Sequence, residues 1–338
     1  MQVIQFQKFG DPAIVLSLKE LPQWKPAAGE VSVRMIASPI NPSDLMFIRG
    51  TYGIKPELPA VPGFEGVGVV EENGGGLLGR MLVGKRVAVI NKAKGNWCEK
   101  TVIPAKQAIP VPKFLSDDQA ASFFVNPATA YLLTRNVLKV PRGEWLLQTA
   151  AGSALGRMVI KLGQREKFRT INVVRRDEQV EELKSLGADE VLCCPSTDES
   201  DLKNLQEEIS RLTGNKGIRF AIDPVGGPLA SAVIPCLAAG GRLIVFGTLS
   251  NLPLSFSSRE LMTKGTTVEG FWLGKSMQQL TLPKKLMLIR KITGMFKDGL
   301  IESQVHSSFP LAKYRQAVTT AITSQGGEKV LLKMNRLS

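Results

Sequence analysis

The sequence predicts a two-domain α/β protein: a mostly β, partly open barrel followed by a doubly wound parallel sheet. Three observations carry this expectation. The chain has 338 residues, beyond the roughly 250–300 at which single cores usually divide. Residues 1 to about 119 are rich in Pro and Gly and run in short strand-like stretches without helical periodicity. Beyond them, strand-like and helical runs alternate, as right-handed βαβ units require. The expected domains are 1–119, 120–267 and a segment, 268–338, that returns to the first domain.

The elements follow in order. Residues 1–6 alternate like a strand, and the runs 31–36, 66–70 and 86–90 are strand-like, separated by turn signals at Asn41-Pro42 and Val61-Pro62-Gly63. Ser116-Asp117-Asp118-Gln119 ahead of an alanine-rich run reads as an N-capped helix. Then come strand 145–148, helix 154–164, strand 170–174, helix 177–186 closed by Gly187, strand 190–192, helix 201–213 closed by Gly214, and strands 220–222 and 242–246. After about residue 268 the alternation ends. A helical stretch, 283–298, leads to a last strand, 329–332.

Composition narrows the function classes. Apolar residues make up 43% and charged residues 22%, ordinary for a soluble domain. No apolar run approaches the ~20 residues of a membrane span. The first residues lack the basic start, apolar stretch and cleavage site of a signal peptide. The expected location is cytoplasmic as given, or organellar after removal of a transit segment. Four cysteines without a C-x-x-C pair and a single histidine, His306, make a disulfide framework or a transition-metal site hard to build. His306 lies in an alternating segment and reads as a strand residue, and Cys98 and Cys236 as small core residues. The net charge of +13 suits nucleic acid, an acidic membrane or a phosphate-rich small molecule. Because the charges are scattered, a solvated basic face ranks ahead of nucleic-acid binding.

The strand 145–148 runs into Thr149-Ala150-Ala151-Gly152-Ser153-Ala154-Leu155-Gly156 and then a helix. Small residues there let the backbone approach a pyrophosphate at the helix N-terminus, although a tight packing turn would read the same way. In a unit built for NAD, an acid about 20 residues on holds the ribose 2′-hydroxyl. Here Arg175-Arg176 stand at that place, where a carboxylate would repel a 2′-phosphate and guanidinium groups pair with it. The expected cofactor is therefore NADPH. Gly226 after one strand, and Phe246 and Gly247 after another, belong to the sheet edge where such ligands bind.

Taken together, the chain resembles the medium-chain dehydrogenase/reductase superfamily, in its zinc-free branch. It is most similar to mitochondrial-type trans-2-enoyl-thioester reductases and to quinone oxidoreductases. The segments that carry the resemblance are Asn41-Pro42-Ser43-Asp44, Arg49-Gly50-Thr51-Tyr52-Gly53, residues 56–61, Asn126-Pro127-Ala128-Thr129-Ala130-Tyr131, residues 171–175 and Gly270-Phe271-Trp272-Leu273. It implies a GroES-like first domain and a Rossmann second domain. Zinc-dependent members carry Gly-His-Glu and a loop of four cysteines. This chain has Gly63-Phe64-Glu65 and no such loop, so no metal is expected. The resemblance further implies that Tyr52 is a proton donor or enolate stabiliser, that Asn41 and Thr129 lie near the nicotinamide, and that Phe271 and Trp272 line an acyl pocket. It also implies a homodimer formed by pairing two sheet edges.

The expected reaction is hydride addition to the β-carbon of an α,β-unsaturated carbonyl, with negative charge building on the carbonyl oxygen. A phenol, whose ordinary pKa of about 10 keeps it protonated at neutral pH, suits the role of donor. Packing beneath a loop is the other reading of Tyr52, and domain-interface core the other reading of Trp272. Three functions remain open: reduction of an enoyl thioester carried by CoA or acyl carrier protein, NADPH:quinone reduction, and nucleic-acid binding on the same scaffold.

Overall fold

A computed structural model describes residues 1–91, 94–302, 304–324 and 329–334. In chain order the strands are β1 (Gln2–Phe6), β2 (Leu16–Glu20), β3 (Glu30–Pro39), β4 (Glu65–Asn73), β5 (Arg86–Ile90), β6 (Lys100–Pro104), β7 (Ala108–Pro110), β8 (Trp145–Gln148), β9 (Arg169–Val174), β10 (Glu190–Cys193), β11 (Ile218–Asp223), β12 (Leu237–Val245), β13 (Thr267–Gly270), β14 (Val305–Pro310) and β15 (Lys329–Lys333). The chain divides into two compact units, residues 1–125 with 302–338, and residues 126–301. The return thus begins at 302, where 268 was expected. Residues 268–301 stay with the second unit because β13 pairs with β12. The helix Leu282–Lys297 also buries Leu288, Ile292, Met295 and Phe296, one face at helical spacing.

In the first unit, β3 is the central strand: its residues 31, 33 and 35 are buried apolar side chains, as alternation demands. The sheet runs β14-β15-β3-β4-β5-β7, with β6 also on β3. β15 lies antiparallel to β3 with Leu331 opposite Pro39 and Leu332 opposite Ser38. Continuing that register by two residues sets Lys329 opposite Asn41. The helix Asp117–Ala121 is capped as the sequence suggests: Ser116 Oγ accepts from the Gln119 N–H at 3.2 Å, and Gln119 Oε1 from the Ser116 N–H at 3.1 Å.

The second unit has its strands in the order β10-β9-β8-β11-β12-β13 among the described residues, every pairing parallel. Order reverses at β8, so ligand-binding loops are expected beyond the C-terminal ends of β8 and its neighbours. Among its strands, two stretches escape the sequence reading. The start of β12 is Leu-Ala-Ala-Gly-Gly, which has little strand preference. β13 is a sixth, edge strand, with no buried residue to give it an apolar signature.

Candidate active site

Tyr52, the expected proton donor, and Asn41, expected near the nicotinamide, flank one short helix of the first unit, Pro42–Arg49. Asn41 precedes it, and Pro42 at its first position presets the helical turn. Asp44 closes the start, accepting from the backbone N–H of Asn41 at 2.8 Å and of Phe64 at 2.9 Å. The side chain of Asn41 is turned elsewhere. Its Nδ2 donates to Glu65 Oε1 at 3.0 Å, and its Oδ1 accepts from Lys329 Nζ. The second oxygen of Glu65 accepts from the Val125 N–H at 3.0 Å. All four side chains are buried, with residue exposures of 0% for Asp44, 2% for Glu65, 4% for Asn41 and 7% for Lys329.

Burial disfavours charge here. It pushes the Asp44 carboxyl up to about 7 against the pull of its two N–H donors, and pushes the Glu65 carboxyl up as well. The same cause holds the Lys329 ammonium below its ordinary range, opposed by Glu65 and Asp44.

Tyr52 follows the other end of the helix. Gly50 ends the helix in the left-handed region at φ 77°, where a Cβ would come within 2.8 Å of the Phe9 ring. Tyr52 is half-buried, and its ring lies 5.1 Å from that of Phe64 at 38°. Phe64 packs edge-on against Phe47 at 5.1 Å, and Phe47 against Phe6 at 5.6 Å. The Phe64 ring therefore seats the tyrosine.

In the second unit, the turn after β8 is tight. Ala150 takes a left-handed φ of 49°, and Ser153 Oγ caps the helix Ala154–Glu166 by accepting from the Gly156 N–H at 3.1 Å. A Cβ on Gly156 would lie 2.4 Å from the Ala151 carbonyl oxygen, and one on Gly152 2.1 Å from the Gln179 amide. Asp223, at the end of β11, accepts from the Thr149 hydroxyl and, at 2.6 Å, from the Gly226 N–H. The Phe246 N–H donates to the Asp223 carbonyl at 2.8 Å, and a Cβ on Gly247 would meet the Pro224 carbonyl at 2.5 Å. The ends of β8, β11 and β12 thus gather Gly152, Ser153, Ala154, Leu155, Gly156, Gly226, Phe246 and Gly247 at one sheet edge. Arg175, exposed, and Arg176, half-buried, follow β9 on the other side of β8. A dinucleotide fits this edge: Gly152 and Gly156 leave no room for a Cβ, a capped helix starts there, and positions 175 and 176 carry no carboxylate.

Thr129 is buried on the helix Val125–Tyr131. Phe271, whose N–H donates to the Val245 carbonyl at 2.8 Å, is half-buried, and Trp272 beside it is exposed. His306 sits on the exposed side of β14. Burial pushes the Cys98 and Cys236 thiols up to about 12. Among the described residues no group of three or more His, Cys, Asp or Glu is arranged to hold a metal, and no helix is long and apolar enough to cross a membrane. Sequence reasoning did not single out Glu65 or Lys329 as site residues. Glu65 stood in the quoted Gly-Phe-Glu, whereas nothing local marks Lys329.

Residues 27–113 match the family model of the alcohol dehydrogenase GroES-like domain, and residues 154–289 that of the zinc-binding dehydrogenases. The mitochondrial enoyl-[acyl-carrier-protein] reductase of Rattus norvegicus is 31% identical over 338 residues, covering 99% of this chain and 89% of the relative. That of Caenorhabditis elegans is 32% identical over 94% of this chain and 91% of the relative. Among solved structures, a putative NADPH:quinone reductase from Bacillus thuringiensis superposes with a TM-score of 0.90 at 32% identity, covering 98% of both chains. A mycobacterial protein solved with NADPH gives 0.88 at 27% identity, covering 98% of this chain and all of that one. With a likeness that runs along nearly its whole length, the chain belongs to the medium-chain dehydrogenase/reductase superfamily.

Proposed function

We propose that the chain is an NADPH-dependent oxidoreductase that reduces the activated double bond of a trans-2-enoyl thioester. The observation that carries this is Tyr52 seated against Phe64, its ring tilted 38° to the phenyl ring at 5.1 Å. The names of the curated relatives support the thioester. The mycobacterial neighbour solved with NADPH supports the cofactor, as do Arg175 and Arg176.

When bound, NADPH supplies a hydride for the β-carbon. The protein's own residues do the rest. Arg175 and Arg176 hold the 2′-phosphate, and the turn at Gly152–Gly156 admits the pyrophosphate to the helix start. Asn41 and Thr129 lie by the nicotinamide, Gly226, Phe246 and Gly247 line the rest of the cofactor, and Phe271 and Trp272 the acyl group. Tyr52 donates to the carbonyl oxygen as it gains charge, or protonates the α-carbon, a contribution of roughly 10²–10⁴-fold. The substrate rides on CoA or on an acyl carrier protein, and two chains pair through the edge strand β13.

A second reading, NADPH:quinone reduction, is favoured by the name of the Bacillus thuringiensis neighbour. The test is NADPH oxidation across enoyl-CoAs and quinones, with NADH as control. Turnover of crotonyl-CoA with a preference for NADPH of at least about tenfold is expected. Turnover of quinones alone moves the assignment to the second reading, and equal use of NADH removes the role given to the arginines.

A further inference from the structure

The buried chain of side chains behind Asn41 has one member that the reaction does not account for. Lys329 comes from the last strand, 288 residues away, and its Nζ ends on Asn41 Oδ1. On the other side of the same amide, Nδ2 donates to Glu65 Oε1 at 3.0 Å. An amide has one acceptor end and one donor end. With a carboxylate on one side and an amine on the other, only one orientation satisfies both. Turning the amide over would set Oδ1 against a carboxylate oxygen and NH₂ against an amine. The flip is forbidden while Glu65 is ionised, because a carboxylate oxygen only accepts and Oδ1 set against it would have no donor, whichever form the lysine takes. Asp44 contributes from below by holding the backbone N–H of Asn41 at 2.8 Å, so backbone and side chain are fixed separately.

We propose that Lys329 is a positioning residue: it locks the side-chain amide of Asn41 in one orientation, and with it the part Asn41 plays in turnover. The role in turnover rests on the function proposed above; the lock itself does not. A lysine is a costly choice for a site so dry, because an apolar side chain of its length would fill the space without a polar group to desolvate. What the amine adds is direction.

The experiment has two arms. In the first, kcat and KM for crotonyl-CoA with NADPH are measured for Lys329→Met, Asn41→Ala and the double variant. Lys329→Met should lower kcat by about tenfold or more with little change in NADPH affinity. In the Asn41→Ala background the same substitution should change kcat by less than about twofold, because it acts through the missing amide. Equal losses in both backgrounds, or no loss in either, overturn the proposal. The second arm needs no substrate. With ¹⁵N-asparagine labelling, the Asn41 side-chain amide is identified as the resonance absent from Asn41→Ala, and its hydrogen exchange is followed. Exchange should speed up at least about tenfold in Lys329→Met, and unchanged exchange overturns the proposal. If the wild type reduces no enoyl thioester, the proposed function fails while this arm still decides the lock. Should Lys329→Met not fold because Glu65 is left as an unpaired buried charge, Glu65→Gln/Lys329→Met removes both charges and keeps an acceptor for Asn41 Nδ2.

Discussion

At the scale of single residues, two carry chemistry that mutation can isolate. Tyr52 loses only its hydroxyl in Tyr52→Phe, and its ring can keep the contact with Phe64 at 5.1 Å. Turnover of crotonyl-CoA should fall at least about tenfold while the NADPH dissociation constant stays put. A steady-state assay beside a fluorescence titration reads both, and an unchanged kcat removes Tyr52 from the mechanism. Asp44 makes a thermodynamic prediction. Its carboxyl is raised from 3.8 to about 7 by burial. Between those values the folded chain binds more protons at this site than the unfolded chain does. Its contribution to stability is therefore full below pH 3.8 and is lost as pH rises toward 7. Asp44→Asn removes the titration at some cost in absolute stability, since an amide offers one acceptor to two N–H donors. Its unfolding free energy in urea should decline less steeply with pH across that window, by up to about 1.4 kcal/mol per pH unit. Glu65 is raised too and remains, so the slope shrinks without vanishing. Parallel pH profiles for the two proteins would refute the assignment.

At the scale of elements, two glycines in helices give opposite expectations. A Cβ on Gly156 would stand 2.4 Å from the Ala151 carbonyl, a backbone atom that cannot swing aside, whereas Gly294 in the helix Leu282–Lys297 has nothing within 4 Å. Gly156→Ala should cost about 1–3 kcal/mol and weaken NADPH binding. Gly294→Ala should stabilise by about 0.5–1 kcal/mol. Thermal melts of the pair check both signs. The same contrast explains what the sequence made legible. The turn after β8 could be read locally, because small residues, a capping serine and the arginines after β9 all lie within one βαβ unit. Tyr52 and Asn41 are singled out only through the resemblance of the segments around them, and Asn41-Pro42, which reads as a turn signal, instead opens the helix Pro42–Arg49. Lys329 could not be read, because its partners lie at the other end of the chain and are brought to it by the register of β15 on β3. Nor could β13, whose side chains lack the buried apolar run that signals an interior strand.

At the scale of the whole molecule, the second unit leaves its sheet with an open side. β13 is paired only to β12 among the described residues, and such an edge invites another strand unless something covers it. The surrounding segment is conspicuously apolar for a surface: Leu252 is 59% exposed, Met262 75%, Leu282 68% and Leu286 52%. Exposed apolar residues scattered singly need no explanation, but several in the sequence on either side of an unpaired edge strand would extend the pairing proposed above. A second copy of the chain is the simplest complement, because a two-fold axis lets the same edge and the same apolar residues meet themselves. Sedimentation equilibrium at micromolar concentration should therefore give twice the mass of 36.7 kDa. Met262→Glu combined with Leu286→Glu should raise the dissociation constant at least about tenfold, since each places a carboxylate in a surface that must dehydrate. Leu77→Glu is the control: that residue is 74% exposed but belongs to the first unit. It should leave the assembly intact. A wild-type chain that sediments as a monomer at every concentration would remove the edge-pairing argument, and a Leu77→Glu chain that dissociates would move the interface to the first unit.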